Sequence, residues 1–364
     1  MRVIIAGGGT GGHLFPGLAV ADALARRRSG RILFVGSSRG IETRVVPREG
    51  YELRQLPIRA LRGQGTLATA ASAARLGVSL VSAWRILGDV RPDLVIGVGG
   101  YASGPAVVAA WLRRVPTVLL EQNAHPGVTN RWLGRLTDRI CVSFPESASY
   151  FPRERTIETG NPVRGRPAAE RREADGRFSI LLFGGSAGAH RLNEIGVEAI
   201  ERLGEGGRAP RVLHQTGDVD LERVRTRYGE RRIAADVRPF IDDMATAYAN
   251  ADLVVCRAGA TTIAELTALG KPAILVPYPY AADDHQRKNA ESLVRRDAAV
   301  MILDRELSAE NLAAAIAGLR DDPARLAAMA TASRALGRPD AAERVVDVCL
   351  GLVEGGAERK MRHV

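Results

Sequence analysis

The stretch "RVIIAGGGTGGHLFPGLAVADAL", residues 2–24, joins an apolar β-branched run to a glycine cluster and then to a segment with helical spacing. That order predicts a strand over Val3 to Ala6, a glycine loop and a helix over about Phe15 to Arg27. A second stretch, "FSILLFGGSAGAHRLNE" (178–194), repeats it. The correspondence continues: "PDLVIGVGG" (92–100) parallels "ADLVVCRAG" (251–259), and "VPTVLLEQN" (115–123) parallels "KPAILVPYP" (271–279). Short apolar runs separated by helix-length segments describe parallel sheets covered on both faces. The chain therefore reads as α/β, two doubly wound Rossmann-like units. Further predicted strands are Ile32 to Val35, Leu94 to Gly97 and Thr117 to Leu120.

Length agrees, since 364 residues exceed what one core usually supports. The proline-, glycine- and charge-rich "TGNPVRGRPAAERREADGR" (159–177) has no periodicity and reads as the linker. The expected domains are 1–162 and 163–339. The last segment, about Ala324 to Glu354, would cap the second unit or reach back across the hinge, and a C-terminal helix over about 340–364 would pack back on the first unit.

An apolar share of 46% with 25% charged residues excludes a disordered or disulfide-scaffold class. Cys141, Cys256 and Cys349 lie far apart without a CxxC spacing, which suggests a reduced cytoplasmic protein without structural zinc. The start lacks a signal-peptide pattern, and no run reaches the roughly 18 apolar residues of a membrane span. The net charge of +10 rests on arginine, with Lys271, Lys288 and Lys360 the only lysines. It suits phosphates or an anionic membrane face. Scattered basic residues without interleaved aromatics argue against nucleic acid.

Gly7, Gly9 and Gly12 satisfy GxGxxG, but the second strand ends "FVGSSRG" without the ribose-binding carboxylate of a dinucleotide site. Ser37 and Arg39 could still serve a 2′-phosphate, and the glycines could simply form a tight turn. A second glycine loop in the same unit, "GVGGYASGP" (97–105), suggests an extended anion such as a pyrophosphate, with Tyr101 and Ser103 adding hydroxyls. In the other unit, Ser186 lies near a helix start. "RAGATTIAEL" (257–266) offers Gly259, Ala260, Thr261 and Thr262 at another, where amide donors and the dipole suit phosphate. Glu265, one turn in, could accept from ribose hydroxyls or be an ordinary first-turn acid. Asp218 with Asp220, and Asp283, Asp284 with His285, read as loop polar residues or substrate contacts rather than metal ligands. His13 beside the glycine loop is open to three roles: general base, phosphate contact or structural residue.

These motifs, with "GGGTGGHLFPGLAVA", "LLEQNAHPGVTNR", "GNPVR", "FIDDMATAYANADLVVCRAGATTIAEL" and "GKPAILVPYPYAADDHQRKNA" in order from residue 3 to about 290, resemble the MurG family of GT-B glycosyltransferases. The resemblance implies two Rossmann-like domains facing across a cleft. It implies inverting transfer of GlcNAc from UDP-GlcNAc to the MurNAc 4-hydroxyl of lipid I (undecaprenyl-pyrophosphoryl-MurNAc-pentapeptide), giving lipid II, without metal or cofactor. A transferase of the same fold acting on another lipid is the alternative. By the resemblance the donor contacts are Ile241 at the uracil, Ser186 and Ala260, Thr261, Thr262, Ile263 and Ala264 around diphosphate and sugar, Glu265 on the ribose and Gln286 on the sugar. Thr10, Gly11, Gly12, Asn123 and Arg164 complete that set.

Gly12, His13, Gly99, Gly100, Tyr101 and Ser103 would hold the acceptor pyrophosphate. His13 is the expected base, with Glu121 second. Ala187 stands where family members often carry a larger residue. The resemblance also implies peripheral attachment to the cytoplasmic face of the plasma membrane, other cell-wall synthesis proteins as partners, and service to cell shape and division. Segment 66–87 holds Leu76, Leu80, Val81, Trp84 and Ile86 with Arg75 and Arg85, and reads equally as an interfacial helix or as one covering the sheet.

Overall fold

The structure, a computed structural model, describes residues 1–38, 40–58, 66–164, 176–185, 188–205 and 209–361. It comprises two units, Met1–Arg164 with Pro339–Val364, and Gly165–Arg338.

In the first unit seven strands run parallel: β1 (Arg2–Ala6), β2 (Arg31–Ser37), β3 (Glu52–Leu56), β4 (Leu94–Gly97), β5 (Thr117–Glu121), β6 (Arg139–Val142) and β7 (Thr156–Glu158). Their order is β3-β2-β1-β4-β5-β6-β7. Val3 and Ile5 point to one face, against Leu14 and Leu18, while Ile4 and Ala6 point to the other, against Leu87 and Ala106. A strand apolar on both faces needs helices on both, which explains the uninterrupted β-branched run. The helix Gly11–Arg27 begins four residues before the predicted Phe15 and takes in His13. Composition read Gly11 and Gly12 as loop, but a first helical turn tolerates glycine because its amides have no intrahelical acceptor to serve.

The C-terminal helix Ala341–Met361 belongs to this unit and packs against Gly11–Arg27. Ala342, Val345, Val346 and Cys349 are buried there. Arg26–Glu343 (3.0 Å), Arg28–Glu354 (2.9 Å) and Arg27–Asp347 border the seam. Such exposed pairs contribute about 0–1 kcal/mol each, so the apolar seam does most of the work. In the helix Thr66–Val90, Leu80 and Ile86 lean on the core, while Leu76, Val81 and Trp84 are exposed.

The second unit holds β8 (Ser179–Phe183), β9 (Arg211–Gln215), β10 (Ala235–Arg238), β11 (Leu253–Cys256), β12 (Ala273–Leu275) and β13 (Val300–Met301). All are parallel, in the order β10-β9-β8-β11-β12-β13.

In each unit the strand order reverses between the first and fourth strands, and the register brings their ends level. Ala6 pairs with Gly97, and Phe183 with Cys256. The loops that follow emerge side by side, where open α/β sheets bind ligands. In the first unit they interlock: Gly8 N donates to Gly99 O at 3.4 Å, and a Cβ on Gly100 (φ +78°) would lie 2.3 Å from Gly8 O. Gly100→Ala should therefore cost about 1–3 kcal/mol of stability, read from chemical denaturation. An unchanged midpoint would show that the interlock does not matter.

Candidate functional site

At the carboxyl ends of β1, β4 and β5 the structure brings together most of the residues predicted for the first unit. Thr10 caps the helix Gly11–Arg27 in extended conformation, and Gly11, Gly12 and His13 form its first turn. The His13 ring lies against Gly99, where a Cβ would come within 2.6 Å of its Nδ1, and Nδ1 is 3.3 Å from Gln122 Oε1. Tyr101 is half exposed beside Gly100.

Two predicted residues are sealed away from this end. Ser103 is fully buried with Oγ packed on Gly97, so its hydroxyl is not offered to a ligand. Glu121 is 1% exposed. One oxygen accepts from Asn123 N (2.9 Å) and Asn123 Nδ2 (3.3 Å), the other from Asn130 Nδ2 (2.8 Å). Burial outweighs these bonds and pushes its carboxyl up to about 7. Without access to solvent it braces the Asn123 turn instead of meeting a substrate proton. Asn123 remains half-buried at the same end.

Arg164 makes its contacts within the first unit. Its guanidinium forms a two-pronged pair with Glu49 (2.8 and 2.6 Å) and reaches Asp22 at 3.3 Å, and Tyr51 donates to the same Asp22 at 2.8 Å. Asp22 lies nine residues beyond His13, about 13 Å along the helix at 1.5 Å per residue. Two carboxylates hold the arginine there, so in this structure it clamps the end of the first unit.

Sequence reasoning missed Glu42. Buried at 1% exposure, it accepts from Gly9 N (2.8 Å), Ser37 N (2.8 Å) and Ser37 Oγ (2.7 Å). The carboxylate sought at the end of β2 thus arrives five residues later, from the helix Glu42–Arg48. It is spent on shaping the glycine loop, which removes it from any ribose. The small residues Gly36, Ser37 and Gly40 ahead of Glu42 are the hint in the sequence.

In the second unit the helix Ala260–Leu269 starts behind Gly259, and its first intrahelical bond is Ile263 N to Gly259 O at 2.9 Å. The amides of Ala260, Thr261 and Thr262 precede that bond and stand at the positive end of the helix dipole. Ile263 turns inward, 2% exposed, and Ala264 follows it. Glu265 accepts from Tyr248 OH at 2.8 Å, and its carboxyl is pushed up to about 7 by burial, partly opposed by that bond. The backbone N of Ile241 already donates to Gln215 Oε1 (2.8 Å), while Gln215 Nε2 donates to Gly185 O (3.0 Å). The Ile241 amide is thus already engaged within the second unit. Gln286 accepts from Tyr278 N at 2.9 Å through Oε1, which leaves its amide nitrogen out of that bond. Ser186 and Ala187 lie outside the described residues.

Asp220 receives His190 Nδ1 and Asn193 Nδ2, each at 2.8 Å, and Asn193 Oδ1 meets the buried His214, whose pKa burial lowers to about 3. This network braces the sheet end and takes up Asp220.

Two doubly wound parallel sheets, each with a glycine loop at its switch point, are the architecture of GT-B glycosyltransferases. Residues 3–142 match the glycosyltransferase family 28 N-terminal domain and residues 179–345 its C-terminal domain, and the chain belongs to that family. It is 52% identical over 354 residues to the UDP-N-acetylglucosamine–N-acetylmuramyl-(pentapeptide) pyrophosphoryl-undecaprenol N-acetylglucosamine transferase of Geobacter sulfurreducens, covering 95% of this chain and 97% of that one. The enzyme of the same name from Myxococcus xanthus is 47% identical, with 97% and 93% covered. The crystal structure of Acinetobacter baumannii MurG superposes with a TM-score of 0.78 at 33% identity, over 95% of this chain and 98% of that one.

Glu121 and Glu265 hold protons in the folded chain up to about pH 7 that the unfolded chain releases near 4.5. Stability is therefore expected to fall as pH rises through that window. Tyr248→Phe removes a donor that favours the charged carboxylate. It should move the Glu265 midpoint above 7, as read by carbon-detected NMR titration, and an unmoved midpoint would mean the phenol does not act on it.

Proposed function

We infer that this protein transfers N-acetylglucosamine from UDP-GlcNAc to the MurNAc 4-hydroxyl of lipid I, giving lipid II in peptidoglycan synthesis. The observation that carries this is the near-full-length identity to transferases named for that reaction, in a chain that keeps a nucleotide-type helix N-terminus in its second unit. In this reading the second unit takes the donor. Glu265 accepts from the ribose hydroxyls, the amides at Ala260 to Thr262 face the diphosphate, the Ile241 carbonyl meets the uracil and the Gln286 amide nitrogen meets the sugar.

The first unit takes the acceptor, its pyrophosphate against Gly12, Gly99 and Gly100. His13 removes the proton of the 4-hydroxyl, whose oxygen attacks the anomeric carbon from the face opposite UDP. The bond from that carbon to the β-phosphate oxygen breaks, and UDP leaves with the electron pair. Charge then grows on the phosphate, where pre-oriented amides stabilise it more than water would. The exposed part of His13 and the seclusion of Glu121 favour histidine as the base.

UDP release should need both UDP-GlcNAc and a lipid I analogue, and transfer to a different lipid with lipid I refused would overturn the acceptor assignment. His13→Ala should lower kcat by about 10²–10⁴, the usual contribution of a positioned base, with little change in donor KM. Glu265→Ala should chiefly raise donor KM. An intact kcat in the histidine variant would remove His13 from the mechanism.

No described helix is long and apolar enough to cross a membrane. The exposed Leu76, Val81 and Trp84, with Trp111 and Leu112 of the packed helix Ser103–Leu112, give an apolar face, and the Arg113 guanidinium lies 4.0 Å over the Trp84 ring. Apolar side chains with arginine at their edge fit peripheral docking on an anionic membrane. Trp84→Glu should weaken sedimentation with phosphatidylglycerol vesicles while transfer to a water-soluble acceptor is unchanged. Equal sedimentation would exclude this face.

A further inference from the structure

A histidine acts as a base through the nitrogen that lacks a proton, and the partner of its other nitrogen decides which one that is. At the end of β5, Gln122 is buried at 2% exposure between the two residues of "EQN" that sequence similarity singles out. Its Nε2 donates to the carbonyl of Val98 at 3.0 Å, in the turn that leads into Gly99. That bond fixes the amide: turned over, Oε1 would face the Val98 oxygen, two acceptors in contact. Oε1 is therefore the atom 3.3 Å from His13 Nδ1. An amide oxygen only accepts, so Nδ1 must carry the hydrogen. The absence of a side chain on Gly99 lets the ring sit here, since a Cβ there would come within 2.6 Å of Nδ1 and 2.9 Å of Cε1.

We propose that Gln122 is a positioning residue that holds neutral His13 as the Nδ1–H tautomer, with the lone pair on Nε2, for the transfer reaction. The proposal rests on the reading of His13 as the base. When Nε2 takes the proton of the acceptor hydroxyl the ring becomes an imidazolium, and Nδ1 keeps its hydrogen bond to Gln122 throughout. A neutral amide suits this task better than a carboxylate. It orients the ring and steadies the charged form through a dipole, without the full negative charge that would hold the histidine protonated before the acceptor arrives. Through Val98 the same side chain ties the end of β5 to the second glycine loop, so the base and the loop read as an acceptor cradle share one anchor.

The test is long-range nitrogen–proton NMR of the full chain with labelled histidine, His13 being assigned by its loss in His13→Ala. The ring should read as Nδ1–H at a pH where it is neutral. In Gln122→Met, with the amide NMR spectrum of the first unit as the check on folding, that tautomer should give way to a mixture or to Nε2–H. The same variant should lower kcat roughly ten- to hundredfold, part of what a positioned base contributes, and leave donor KM within about twofold. Gln122→Glu should restore the Nδ1–H signature, since a protonated carboxyl can donate to Val98 O and accept from His13. A wild-type ring protonated on Nε2, or an Nδ1–H tautomer that persists in Gln122→Met, would overturn the proposal. If the tautomer responds as stated but His13→Ala keeps its kcat, the base reading fails and the tautomer assignment stands.

Discussion

Two parallel strands whose crossovers leave in opposite directions must part at their carboxyl ends, and each unit is organised around that parting. Between β1 and β4 it is filled by backbone: the glycine loops approach so closely that Gly7 and Gly100 leave no room for a Cβ. The helix start that carries His13 follows one of these loops directly, and Gln122 grips the turn before the other. Between β8 and β11 the same geometry places the helix start at Ala260 beside the loop that begins at Gly184. The chemistry sits where the sheet cannot close on itself.

Three carboxylates at these ends show how burial directs function. Glu42 and Glu121 are both at 1% exposure and accept backbone or amide donors, so they set loop shape. Glu265 is partly open and, among the described residues, accepts from the phenol of Tyr248 through one oxygen. Each is the same functional group, and the number of internal donors decides whether it shapes a loop or offers itself outward.

Much of the fold was legible because the signals are local. The run Val3 to Ala6 is apolar on both faces, and its repetition at Ser179–Phe183 required two units of one kind. The start of the first helix was misjudged by four residues because glycine composition hides a helical turn that needs no donors satisfied within it. Gly12, His13, Gly99, Gly100 and Tyr101 come together as the motifs suggested. Ser103 does not join them, because its hydroxyl packs on Gly97.

The sequence by itself determined the two parallel sheets, their glycine loops and the family to which they belong, since strand runs, loop glycines and helix starts are written in neighbouring residues. The tertiary structure alone decided which side chains those loops bring into contact. Glu42 reaches Gly9 across 33 positions, and Gln122 reaches His13 across 109. No spacing rule connects such pairs. Strand order and register make them neighbours, and only then does one hydrogen bond choose which nitrogen of His13 carries the proton.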